Sequence, residues 1–275
     1  MLLVDSHCHI HRGDGGVETP QAEQGGGEDP RETPPERNDV VLYCPMAVDE
    51  GDWAKLKALQ EQEQQKVIVT VGLGIHPWKA HEVREGWETR LREALVQTPS
   101  FIVGEIGLDK AREADKTGWE TQLRAFEQQM ELAAELRRPV SMHCVRAYGT
   151  IYDWLKQRPT AAACPPSLAF HSYTGSPEMA SAFLALPHLK DSVFFGVSAS
   201  ICLRSPAAET KLCNVLRVLP RENVLLESDL DDRNAVPAAM TRVCEVVSRA
   251  FGIERQALAE ITTRNAERFL RRTFI

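Results

Sequence analysis

Short apolar runs alternate with helical stretches along the whole chain. The runs fall at residues 2–5, 40–44, 67–72, 101–105, 140–143, 168–171, 193–197 and 224–227. Val, Ile, Leu and Phe dominate them with little internal alternation, which is how parallel strands covered on both faces read. Between them the spacing of apolar residues predicts helices around 52–65, 85–96, 118–137, 147–157, 176–186 and 206–218, with two more near 236–251 and 255–271. The clearest is TGWETQLRAFEQQMELAAELRR. Thr117 stands as its cap with Glu120 three residues on, and Leu123, Phe126, Met130, Ala133 and Ala134 form one apolar face. Pro139 bars its continuation into the next run. Eight strands alternating with helices predict an α/β chain folded as a (β/α)8 TIM-type barrel, a single domain over residues 1–275.

One segment breaks the pattern. Residues 13–39 are rich in Gly, Pro and acids and almost free of apolar side chains, so they cannot bury enough surface to offset their ordering entropy. This stretch is expected to be a disordered acidic insertion within the single domain, between the first two strands. It carries Asp14, Glu18, Glu23, Glu28, Asp29, Glu32, Glu36 and Asp39 against Arg31 and Arg37. Most of the net charge of −7 therefore sits there, and the remainder is close to neutral. An acidic protein is a poor ligand for nucleic acid, because phosphate contacts supply most of the affinity. With the acidity confined to one segment, that objection weakens.

Seven cysteines with no CxxC pair argue against a disulfide framework and for a reducing compartment, cytoplasmic or nuclear. No apolar stretch reaches the roughly 18 residues that span a bilayer, so no membrane association is expected.

The chemistry gathers where the runs end. His7 and His9 lie in LLVDSHCHI, Glu105 in FIVGEIGLD, His143 in RPVSMHC, His171 in SLAFHSYTG and Asp229 in NVLLESDLDD. Barrel enzymes place their active sites at the C-terminal ends of the strands, so six such side chains predict one convergent metal site. His7 and His9 are two apart, which puts both on one strand face together with Asp5, while Ser6 and Cys8 point the other way. Glu105 ends a buried strand, where a lone carboxylate is costly, and its two oxygens can bridge two cations. Asp229 can bind metal and take a proton from an attacking water. Cys8 and Cys144 are assigned to packing, Asp109 to orienting loop groups, and Asp231 and Asp232 to the solvated loop. There is no GxSxG elbow, no Walker GK[ST] and no GxGxxG.

DSHCHI, GLGIHPW, GEIGLD, RPVSMHC, FHSYTGS, LLESD and TTRNAERFL occur in the order and spacing of the TatD family of metal-dependent deoxyribonucleases. The chain resembles that family throughout except at 13–39. Two departures stand out: Lys110, Ala111 and Arg112 follow GEIGLD where aromatic residues are common, and no proline follows Asp229. The resemblance implies an amidohydrolase-type barrel with one or two divalent ions, cleaving DNA from the 3′ end. It implies that His7, His9 and Asp229 hold one ion, His143 and His171 the other, and that Glu105 bridges them, with His76 contacting substrate phosphate. Asp229 and Glu105 then carry the catalytic expectation, and Arg112, Arg146 and Arg204 are candidate contacts to the DNA backbone. Mixed His and carboxylate ligands suit Zn or Mn, and a phosphate substrate can recruit Mg. Two other readings stand beside it: a hydrolase of a small amide, ester or phosphoester on the same metal site, or a weakly active interaction protein that uses the acidic insertion to bind partners.

Overall fold

The computed structural model describes residues 1–13, 39–62, 67–112, 116–158, 160–189 and 191–274. Most of the predicted acidic insertion, residues 14–38, lies outside the described residues. Eight strands form in the predicted order: β1 (Leu2–Cys8), β2 (Val40–Pro45), β3 (Gly72–Leu73), β4 (Ile102–Asp109), β5 (Val140–Val145), β6 (Leu168–Phe170), β7 (Val193–Ser198) and β8 (Val224–Glu227). The helices among the described residues are α1 (Glu50–Gln62), α2 (Trp87–Gln97), α3 (Lys116–Glu135), α4 (Tyr148–Lys156), α5 (Pro177–Leu184), α6 (Ala199–Cys202), α7 (Pro206–Leu216), α8 (Val236–Phe251) and α9 (Arg255–Leu270). The longest predicted helix starts at Lys116, so Thr117 lies inside its first turn and not at the cap. Of its expected face, Phe126, Met130, Ala133 and Ala134 are buried, and Leu123 is partly buried against the same core. The short α6 was not expected. Ser198 caps it by accepting the Ile201 N–H at 3.3 Å.

All neighbouring strands are parallel. β1 pairs with β2, and β3 through β8 pair in sequence order. Single pairings of Tyr43 with Ile68 and Met46 with Gly72 join β2 to β3. The predicted run at 67–72 therefore meets β2 at isolated points, and regular pairing with β4 covers only Gly72 and Leu73. The strands crowd here: a Cβ at Gly72 would overlap the Met46 sulfur and the Gly104 carbonyl. The ring closes between last strand and first, where the Asp229 N–H donates to the His7 carbonyl at 3.0 Å and the His9 N–H to that of Leu230 at 2.8 Å.

Two apolar layers result. The outer one fills the space between strands and helices and includes Leu3, Phe126, Ile151, Phe183 and Met240. The inner one takes Val4, Cys44, Met46, Val69, Ile102, Ala169, Phe194 and Leu225 from around the ring, and Ala266, Phe269 and Leu270 of α9 close it from below. Asn265, within the TTRNAERFL motif, donates to the carbonyls of Arg221 (2.7 Å) and Val224 (2.8 Å), fixing α9 to the start of β8.

Strand irregularities decide what reaches the upper end of the ring. Val4 is an inner residue, so strict alternation would turn Asp5 and His7 outward together. The β1–β2 register shifts between Asp5 and Cys8, and His7 comes inward. The expectation that Asp5, His7 and His9 share a face against Ser6 is thus corrected. Asp5 turns to Ser228, while Ser6 reaches Glu227. β4 repeats the device: Ile102 is an inner residue, and a shift between Val103 and Ile106 brings Glu105 into the ring.

Candidate metal centre

Seven side chains converge at the upper side of the ring with Glu105 at their middle; β4 runs on to Asp109, so Glu105 lies within its strand and not at its end as expected. Its Oε2 lies 3.4 Å from His7 Nε2 and 3.5 Å from His9 Nε2. Its Oε1 lies 2.6 Å from His171 Nε2, 3.0 Å from His143 Nδ1 and 3.4 Å from His76 Nε2. One oxygen serves each group of histidines. Asp229 Oδ1 completes the first side, 3.9 Å from His7 Nε2 and 3.7 Å from His9 Nε2. All six predicted ligands are therefore together. Nitrogen and oxygen atoms that could hold a metal fall into close groups of His7, His9 and Glu105, of His7, His171 and Asp229, and of His76, Glu105 and His143.

The spacing tests whether a cation fits. Four ligands about 2.0–2.1 Å from a tetrahedral ion lie about 3.3 Å from one another. His7 Nε2 and His9 Nε2 are 3.3 Å apart, and His143 Nδ1 and His171 Nε2 are 3.2 Å apart. Imidazole nitrogens that face each other at this distance around carboxylate oxygens fit a shared cation. The outer ring nitrogens support this. His9 Nδ1 donates to the Met46 carbonyl at 3.0 Å, which leaves the Nε2 lone pair facing inward, and His7 Nδ1 is 2.9 Å from Ser141 Oγ. His143 Nε2 lies 3.3 Å from Asp109 Oδ2, which also accepts the Trp78 indole N–H at 2.7 Å. Gly107 lets the backbone of β4 approach here: its φ is +148°, and a Cβ would overlap the His143 carbonyl.

His76 differs from the six. Its Nδ1 accepts the Trp78 backbone N–H at 3.1 Å, so its Nε2 carries the proton when the ring is neutral. That nitrogen is a donor and not a ligand, in keeping with a substrate contact. Burial pushes His76 and His7 down to about 4. Burial also opposes charge on His143, but hydrogen bonds with Asp109 and Glu105 outweigh it and lift the ring to about 9. For Glu105 burial is opposed by the charges of His171, His76 and His7, which hold the carboxyl well below the usual range.

Sequence reasoning missed the supports. Asp229, at φ +58°, has its Oδ2 within 3.0 Å of Ser172 Oγ and 3.2 Å of Ser200 Oγ. Asp5 accepts from the Ser228 N–H (2.9 Å) and hydroxyl (2.6 Å); burial still lifts it to about 7. Glu227, also buried, is pushed up to about 8. An acid ending an apolar run was signal enough for Glu105, and the same signal in LLESD could have drawn attention to Glu227. Asp109 was expected beyond the strand end but is the last residue of β4; its carboxylate accepts from the Trp78 indole and the Ala111 N–H and lies 3.3 Å from His143 Nε2 on β5. Cys8 and Cys144 are buried in the outer layer, as assigned. Arg112 stacks on Trp78, its guanidinium 3.9 Å from the ring centre. Arg146 and Arg204 are exposed, just beyond β5 and α6.

A profile described as TatD related DNase matches residues 4–271. A 3′-5′ ssDNA/RNA exonuclease TatD from Edwardsiella piscicida is 29% identical over 211 residues, covering 72% of this chain and 76% of that protein. An uncharacterized deoxyribonuclease, YMR262W of Saccharomyces cerevisiae, is 24% identical over 299 residues, 88% of each chain. The crystal structure of YJJV, a TatD homologue from Escherichia coli K12, superposes with a TM-score of 0.73 over 97% of both chains at 23% identity. That likeness shows the barrel fold. Among the described residues no helix is long and apolar enough to cross a membrane, and all seven cysteines are free.

Proposed function

Because the chain belongs to the TatD related DNase family, we propose that it is a metal-dependent deoxyribonuclease that hydrolyses phosphodiester bonds from the 3′ end of DNA. The observation that carries the reading is Glu105, with one oxygen facing His7 and His9 and the other facing His143 and His171. His7, His9 and Asp229 would hold one divalent ion, His143 and His171 the other, with Glu105 between; Mg, Mn and Zn are the candidates. Divalent ions in such a site supply Lewis acidity, polarising the phosphate and acidifying water.

The protein's own groups do the rest. Asp229 Oδ1 faces the centre and accepts the proton of the attacking water, while Ser172 and Ser200 occupy Oδ2. The His76 Nε2–H is a donor suited to a phosphate oxygen. Arg112, Arg146 and Arg204 provide positive charge for the strand's backbone. Arg112 is steadied by Trp78, which also bonds to Asp109 beside His143. Release of nucleotides from 3′-labelled and 5′-labelled DNA, single- and double-stranded, with Mg, Mn or Zn added to chelator-treated protein, tests the proposal. RNA of the same sequence completes the comparison. Absence of cleavage with every metal would refute it.

A further inference from the structure

Glu227 is a buried acid that the proposed reaction does not use, at the end of β8 and two residues before Asp229. Its Oε1 accepts the Ser172 backbone N–H, and its Oε2 accepts the Ser6 hydroxyl at 3.3 Å. The strand beside it makes room: a Cβ at Gly196 of β7 would overlap the carboxylate. Two neighbours give this placement meaning. His171 Nδ1 is buried, has no hydrogen-bond partner among the described residues, and lies 3.9 Å from Glu227 Oε1. Ser172 adopts a left-handed backbone, φ +43°, and its Oγ lies 3.0 Å from Asp229 Oδ2.

We infer that Glu227 is a positioning residue that ties the two sides of the metal centre together, by facing the outer nitrogen of His171 and by holding Ser172 in the turn that seats Asp229. An imidazole that ligates through Nε2 must carry its proton on Nδ1, and that proton needs an acceptor. A carboxylate offers about four lone-pair positions, and Ser172 and Ser6 take two. Glu227 is the carboxylate facing His171 Nδ1, and the same oxygen fixes the next residue along the chain. Ligand orientation on the His171 side and on the Asp229 side then depends on one buried group. The inference rests on the reading of His171 and Asp229 as ligands.

A structural brace and a ligand-orienting brace make opposite demands on the metal-free protein. Glu227→Gln keeps the length of the side chain and an oxygen able to accept the Ser172 N–H, so the substitution should not harm folding in the absence of metal. Full-length protein stripped with chelator is titrated with Mn²⁺ by calorimetry as wild type, Glu227→Gln and Glu227→Asp, and the metal-free forms are melted in parallel. Glu227→Gln is expected to melt at or above the wild-type temperature and to bind Mn²⁺ about 10- to 100-fold more weakly, the usual effect of losing an outer carboxylate. Glu227→Asp should recover part of that loss. Wild-type Mn²⁺ affinity in Glu227→Gln would overturn the inference. So would a weakening matched by a lowered melting temperature, or a variant that does not fold, since either marks a merely structural acid. Wild-type protein that binds Mn²⁺ but cuts no DNA would fault the nuclease assignment alone. Wild-type protein that binds no Mn²⁺ would remove the metal centre and this inference with it.

Discussion

The lower and upper halves of the barrel interior are built from the same strands and could hardly differ more. Below, Val4, Ile102, Ala169, Phe194 and Leu225 fill the ring and α9 closes it. Above, on the next residues of the same strands, histidines and carboxylates are packed almost out of reach of water: His7, Glu105 and Glu227 are no more than 2% exposed. The lower layer gains free energy simply by being buried. The upper layer has to be held in place by the lower one, because buried charges without an ion are unfavourable. The barrel therefore separates stability from chemistry by two or three residues along β1, β4, β6 and β8.

Removing metal is the severest test of that division. Chelation should abolish cleavage while circular dichroism stays that of the folded barrel; loss of structure would show that the upper layer is also structural. Asp229→Asn should follow, lowering turnover by about 10²–10⁴-fold, the worth of a positioned general base. An ion held by Glu105, His143 and His171 should remain bound, whereas Glu105→Gln should weaken both ions. Metal counting by plasma emission beside nuclease rates separates the two variants. The converse change is Phe194→Ala in the lower layer. It should cost about 3–5 kcal/mol of stability in denaturant titrations and leave turnover per folded molecule unchanged. A fall in turnover would show that the two layers are coupled.

Acidity offers a gentler probe. Asp5 and Glu227 have folded values near 7 and 8, raised chiefly by burial, above ordinary unfolded values of about 4. The folded state then binds the extra protons, so their contribution to stability is complete below about pH 4 and is lost as pH rises through 7 and 8. His143, near 9, acts in the same direction. Metal-free protein should melt at progressively lower temperature from pH 7 to 9, and Glu227→Gln should flatten the slope. A rising curve would contradict these assignments. The smallest effect is expected at the rim. Arg112→Ala should weaken single-stranded DNA binding alike for all sequences and reduce the dependence of log affinity on log salt by about 0.7.

The architecture was legible because eight apolar runs have few other ways to be covered. The convergence of the six candidate ligands was legible because a polar residue at the end of such a run is costly unless used. What could not be read was how His7 and Glu105 turn inward. Both depend on register shifts, in β1 and β4, and simple alternation assigns Asp5 and Ser6 to the wrong partners. The supports were hidden for another reason. Ser172, Ser200 and Ser141 are ordinary serines in sequence, and their importance lies in contacts across strands far apart along the chain.

The seam between the last strand and the first has a consequence for the making of the protein. The Asp229 N–H that closes the ring donates to the carbonyl of His7, so one hydrogen bond joins two proposed ligands separated by most of the chain. During synthesis His7 leaves the ribosome long before Asp229 exists. The centre can assemble only when the final strand arrives, so a growing chain holds no complete site until its synthesis is nearly finished.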